Sequence, residues 1–197
     1  MLRDKLKNFN IILASGSPRR RQFFKDLDLD FEIRLKDVEE IYPENLKAGA
    51  ITDYLAELKT SAFDNELSDN DILITSDTLV WHKNKALGKP KDYDDAFKML
   101  QSLSGKTHEV ITSVCIKTNS KKDTFHEVTR VTFNPLSDEE IKYYLDNYKP
   151  FDKAGSYGIQ EWIGLVAIAR IDGSYANVVG MPVDKVYQHL KNFIENN

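Results

Sequence analysis

The chain has 197 residues, 41% of them hydrophobic and 29% charged, with a net charge of -4 and a single cysteine. That is enough apolar material for a real core, so a disordered chain is excluded. The acidic balance argues against a broad nucleic-acid surface, and a lone Cys115 cannot form an internal disulfide, so a reducing, cytoplasmic setting is the default. The first ten residues are mixed in charge, without the apolar core of a signal peptide, and no stretch approaches the ~18 apolar residues of a membrane helix.

Ile11 to Ala14 reads as a short buried strand, broken by Ser15-Gly16-Ser17-Pro18. A helix follows, with Ser17 as N-cap and Pro18 at its first position. Phe31 to Leu35 is a candidate second strand. Ala48 to Phe63 carries Ile51, Leu55, Leu58 and Ala62 at helical spacing. Ile72 to Thr75 reads as a buried strand ending at Ser76-Asp77-Thr78. Leu79 to Leu87 suits a hairpin around Lys83-Asn84. Tyr93 to Leu103 predicts a helix. Val110 to Ile116 and Val128 to Phe133 alternate and predict a long hairpin across Asn119 to Lys122. Ser137 and Glu140 make a capping box, with Leu136 and Ile141 as a hydrophobic staple. Phe151 to Trp162 reads as a glycine-containing loop, Leu165 to Ile171 as a strand and Val183 to Ile194 as a closing helix. Strands and helices do not alternate strictly, which favours a mixed sheet in an α/β fold.

Three consecutive arginines, Arg19 to Arg21, fall in the first turn of the first of these helices. The positive helix end disfavours each by roughly 0.3–1 kcal/mol. A bound anion would reverse that sign, taking hydrogen bonds from free N–H groups and guanidinium forks, and Ser15, Gly16 and Ser17 would let it approach closely. The alternative is a solvated run pairing with Asp26 and Asp28, and the two readings stand side by side. Asp77, at the expected end of a strand, could orient a water, accept its proton or hold a divalent metal; a turn aspartate explains it equally well. Asp37, Glu39, Glu40 and Glu44 form an acidic segment that could share a metal with phosphate oxygens or simply be solvated. Lys59 and Lys89 read as surface lysines by default. Gly105-Lys106-Thr107 is not a Walker A loop, because Leu100 stands where the first glycine is needed. The four histidines show no metal-binding spacing, and there is no Gly-x-Ser-x-Gly elbow.

Taken together, six stretches resemble the Maf-like nucleotide pyrophosphatase family. They are Ala14 to Arg20, Ser76-Asp77-Thr78, Gly88-Lys89-Pro90, Leu103 to His108, Asp152 to Gln160, and Gly173-Ser174-Tyr175 leading to Val179 to Pro182. They occur in family order and span nearly the whole chain. The resemblance implies a single domain over residues 1–197. Its fold would be an elongated, curved mixed sheet flanked by helices, with two lobes around a central cleft, similar to inosine-triphosphate pyrophosphatases. It implies cleavage of a nucleoside triphosphate to monophosphate and pyrophosphate with a divalent cation, Mg²⁺ or Mn²⁺. Asp77 would be the proton acceptor. Arg20, Lys59 and Lys89 would face the phosphates, together with Ser15 and Ser17, and Glu40 would assist with metal or water. Glu39 competes with Glu40 for that role.

Arg19, Thr78 and Gln160 match the positions that look like specificity determinants, and resemble the dTTP/UTP branch. A glutamine amide both donates and accepts, so it can meet the N3–H and carbonyl edge of uracil or thymine. Ser76 stands where the family usually has alanine, and Met181 where it has leucine. The resemblance is compatible with a homodimer, for which the sequence itself carries no signal. It also leaves a second reading, a nucleotide-sensing protein acting on septum formation without turnover. Neither a nucleic acid nor a membrane is expected as a partner.

Overall fold

The computed structural model describes residues 1–195. In chain order the elements are α1 (Leu2–Lys5), β1 (Asn10–Leu13), α2 (Pro18–Asp26), β2 (Glu32–Ile33), α3 (Gly49–Ser61), β3 (Asp71–His82), β4 (Lys85–Leu87), α4 (Tyr93–Leu103), β5 (Thr107–Lys117), β6 (Lys122–Phe133), α5 (Asp138–Tyr148), α6 (Trp162–Val166), β7 (Ile168–Asp172), α7 (Tyr175–Val179) and α8 (Val183–Glu195). Strand order in the sheet is β2-β1-β3-β5-β6-β7, with β4 paired to β3. The β1–β2 and β1–β3 pairs are parallel, and the β3–β4 and β6–β7 pairs antiparallel, so the expected mixed α/β sheet is present. No described helix is long and apolar enough to cross a membrane.

The chain divides into two compact units. Among the described residues, the first comprises Met1–Asp77, Thr112–Glu127 and 180–195. Its core gathers Ile11, Leu13, Ile72 and Ile74 from parallel strands, Phe24 from α2, Val114 and Ile116 from β5, and Val186, Leu190 and Phe193 from α8. Cys115 is fully buried and burial pushes its thiol pKa up, which makes it a small core residue. The second unit comprises Thr78–Ile111 and Val128–Val179. Its core joins Leu100 and Leu103 of α4, Ile141, Tyr144 and Leu145 of α5, and Val110, Val131 and Phe133 of the sheet.

The N-terminus of α5 and the tight hairpin follow their sequence signals. In α5, Ser137 Oγ accepts from Glu140 N at 3.2 Å and Glu140 accepts from Ser137 N at 2.7 Å. Lys83 and Asn84 both adopt positive φ, 49° and 59°, as a two-residue hairpin with the strands' own twist requires. Three expectations are corrected. The strand predicted to end at Ser76-Asp77-Thr78 runs on to His82, so Asp77 lies mid-strand. The strand predicted over Phe31 to Leu35 shrinks to Glu32–Ile33. Leu165 and Val166, expected in a strand, belong to the short helix α6, and β7 begins only at Ile168. Leu165 is 85% exposed, so its apolar character was no sign of a buried strand.

Candidate active site

Asp77 is a nearly buried carboxylate, 8% exposed, inside β3. An aspartate has poor strand propensity, so something must hold this segment extended. Part of the answer is two residues earlier on the same strand face. Thr75 Oγ1 meets Thr60 Oγ1 of α3 at 2.6 Å, and both threonines bond the carbonyl of Ala56, at 2.7 and 2.9 Å. This buried knot fixes the last turns of α3 against β3. Lys59, next to Thr60, therefore reaches Asp77.

The result is a three-group contact. Lys59 Nζ lies 2.6 Å from Asp77 Oδ1 and 2.8 Å from Glu40 Oε1. Two carboxylates from segments far apart in sequence converge on one cation. Of the adjacent glutamates, Glu40 is the one paired with Lys59, while Glu39 accepts from Ile41 N through its backbone carbonyl. Among the described residues no group of three or more His, Cys, Asp or Glu side chains is placed to hold a metal ion.

The arginine-bearing turn lies in the same unit. Ser17 occupies the N-cap of α2 with Pro18 following, but its side chain makes no capping hydrogen bond, and no acidic residue lies in the first turn. The hydroxyl that turns inward is that of Ser15, which accepts from Ser17 N at 3.3 Å. Arg20 folds back over this loop. Its Nε donates to Gly180 O at 2.8 Å and its Nη1 to Ser76 O at 2.9 Å, with Ser15 Oγ at 3.4 Å. Arg20 thus joins the first turn of α2 to the residue just before Asp77. Burial pushes the Arg20 guanidinium below its usual pKa, and the charges of Asp77 and Glu40 oppose that effect. Arg21 donates to the carbonyls of Ser15 and Gly16, at 3.5 and 3.2 Å, rather than to Asp26 or Asp28. Arg19 sits beside them, half-buried. Ser76 Oγ, in contrast, is buried without a hydrogen-bond partner among the described residues.

Lys89, Thr78 and Gln160 belong to the second unit. Thr78 follows Asp77 along β3 and is partly buried. Lys89 is exposed in the turn after β4. The neighbouring Gly88 accepts from Gly155 N at 3.1 Å, so the lysine turn adjoins the loop at 152–160. Gly155 has φ 67°, and a Cβ there would come within 2.8 Å of Val80, so both its conformation and its space demand glycine. Gln160 is exposed at the end of that loop. His108 Nε2 and Tyr157 OH share a hydrogen bond of 2.7 Å, tying β5 to the same loop. Sequence reasoning gave no role to Tyr144, Lys153 or Glu161, which also hold it. The only signal was that Lys153 falls within the family-like stretch.

A family model for Maf-like proteins matches residues 10–193. A dTTP/UTP pyrophosphatase of Flavobacterium psychrophilum is 69% identical over 192 residues, covering 98% of each chain. One of Flavobacterium johnsoniae is 66% identical over 194 residues, covering 98% of this chain and all of that one. Among solved structures, the Staphylococcus aureus Ham1 protein superposes with a TM-score of 0.55 at 14% identity, covering 93% of this chain and 99% of that chain, a likeness of fold.

Proposed function

Since the chain belongs to the Maf-like family, we propose that it is a nucleoside triphosphate pyrophosphatase acting on dTTP and UTP. The observation that carries this reading is the convergence of Asp77 and Glu40 on Lys59, beside the first turn of α2 and Arg20. A water oriented by Asp77 attacks the α-phosphorus. Its proton passes to the Asp77 carboxylate, the bond from the α-phosphorus to the bridging oxygen breaks, and pyrophosphate leaves with that oxygen. Lys59, Lys89 and the N–H groups opening α2, with the hydroxyls of Ser15 and Ser17, offset the charge of the triphosphate. Arg20 can contribute charge while it keeps the loop beside Ser76 in place. Catalysis is mostly positioning and charge stabilisation.

Asp77 and Glu40 suit Mg²⁺ or Mn²⁺, because their oxygens already converge on one cation. Such ions usually take one or two carboxylates and complete their shell with phosphate and water. When bound, the ion would draw charge from phosphate oxygens. Arg19, Thr78 and Gln160 are the proposed selectors of the base. Two lobes around a cleft, a homodimer and a cytoplasmic setting remain part of the proposal on the family resemblance alone.

The test is release of pyrophosphate from each nucleoside triphosphate with Mg²⁺ present. UTP and dTTP should lead, and a folded Asp77→Asn variant should lose at least about a hundredfold in turnover. Near-normal turnover in that variant would remove the base assignment. Nucleotide binding without pyrophosphate release would favour the sensing role instead.

A further inference from the structure

The turn that carries Gln160 is held by groups with no part in the chemistry above. Tyr144 of α5 is fully buried, in a core where a phenylalanine would pack equally well. Its hydroxyl nevertheless has two partners. It accepts from Gly158 N at 2.9 Å and donates to the Glu161 carboxylate. Burial, reinforced by Glu161, pushes the phenol pKa well up, so the hydroxyl stays protonated and remains a donor. The other Glu161 oxygen receives Lys153 Nζ at 3.1 Å. Glu161 N in turn donates to Gly158 O at 3.0 Å and closes the turn. One phenol oxygen therefore grips both ends of a four-residue turn whose third member is Gln160.

The rest of the turn is equally constrained. Ile159 is buried in the core of the second unit. A Cβ on Gly164 would lie 1.7 Å from the Ile159 carbonyl oxygen, so α6 packs directly on the turn. Gly158 is different. A Cβ there would come within 2.8 Å of Gln160 Nε2 and of the Glu161 carboxyl carbon. The glutamine side chain folds back over Gly158, and only a glycine leaves that space.

We propose that Tyr144, through Gly158 and Glu161, is a positioning residue that fixes the Gln160 carboxamide for recognition of the base. The inference rests on the reading that Gln160 contacts the base. A carboxamide held in one orientation presents a fixed order of donor and acceptor, and discrimination comes from leaving those groups unpaired against the wrong base. A loosely held carboxamide would turn to suit cytosine as well as uracil.

The experiment compares kcat/KM for UTP with kcat/KM for CTP in the full-length protein and in Gln160→Ala, Tyr144→Phe and Gly158→Ala. Their ratio does not depend on how much enzyme is folded, so a merely structural defect leaves it unchanged. Tyr144→Phe keeps the ring and removes the grip. Gly158→Ala pushes aside the Gln160 carboxamide and the Glu161 carboxylate, and so disturbs the Tyr144–Glu161 contact from the other side at some cost in stability. The ratio should fall at least about tenfold in both, approaching that of Gln160→Ala. An unchanged ratio in a folded Tyr144→Phe, beside a collapsed ratio in Gln160→Ala, overturns the positioning role and leaves the base-reading role standing. An unchanged ratio in Gln160→Ala overturns both. Should Tyr144→Phe fail to fold, Glu161→Ala, which removes one of the two groups held by the phenol without a clash against Gln160, decides by the same criterion.

Discussion

His108 makes the stability of the second unit depend on acid in a calculable way. Its ring is buried between Phe133 and Tyr157, and burial, with a smaller effect from nearby His82, pushes its pKa down to about 3. The unfolded chain takes up this proton near pH 6.5, whereas the folded chain refuses it until about pH 3. Stability is therefore complete above the unfolded value and is lost as pH falls between the two. At about 1.4 kcal/mol per pH unit the full loss is roughly 5 kcal/mol. Burial of His82 acts in the same direction, so a simple acid titration would mix the two. A His108→Phe variant separates them. At pH 7.5 it strips the Tyr157 hydroxyl of its partner and should cost about 1–3 kcal/mol. At pH 4 the parent has already lost about 3 kcal/mol through His108 and the variant has not, so the two stabilities should meet or cross. Denaturant unfolding read by tryptophan fluorescence suits the question, because Trp81 and Trp162 both lie in the second unit. A gap between parent and variant that stays constant from pH 7.5 to pH 4 would refute the reasoning.

Lys59→Met should fold but lose at least about a hundredfold in kcat/KM, as expected when a group offsetting phosphate charge is removed. Without the ammonium between Asp77 and Glu40, the substrate-free variant should bind Mn²⁺ more tightly than the parent by electron paramagnetic resonance; weaker binding would mean that the two carboxylates are not a cation site. Ser76→Ala removes a buried hydroxyl that has no partner among the described residues, and should raise stability by about 1 kcal/mol in chemical denaturation with turnover unchanged; a loss of stability would reveal a bond from that hydroxyl. Cys115, fully buried with its thiol pKa raised, should react with a thiol reagent only as fast as the protein unfolds, and rapid labelling of the native protein would contradict its place in the core.

Elements with local punctuation were legible in the sequence. The span of α4 matches its predicted range, Tyr93 to Leu103. The capping box of α5 and the Lys83-Asn84 turn encode their geometry in a few adjacent residues. Misreadings fell where distant contacts overrule local preference. Ser76-Asp77-Thr78 looks like a strand terminus because its residues are polar, yet the threonine knot to α3 and the Lys59 contact hold them extended within β3. The run from Leu165 to Ile171 reads as a strand because a short apolar run does not distinguish strand from helix. Its helical start is set by the packing of Gly164 on Ile159, which no periodicity reveals.

The same division governs the candidate site. The break after β1 and the start of α2 at Pro18 could be read directly from Ser-Gly-Ser-Pro. The acidic half could not, since Lys59 and Asp77 meet through the packing of α3 on β3 and Glu40 reaches Lys59 from the segment between β2 and α3, and family resemblance alone groups them. Arg20 shows why residue type alone misleads. Two of its nitrogens hold backbone carbonyls at 180 and 76, so a cation that sequence reasoning assigns to phosphate also serves as a brace for the strand carrying Asp77. A lysine there would keep the charge but could not reproduce the fork that spans both carbonyls.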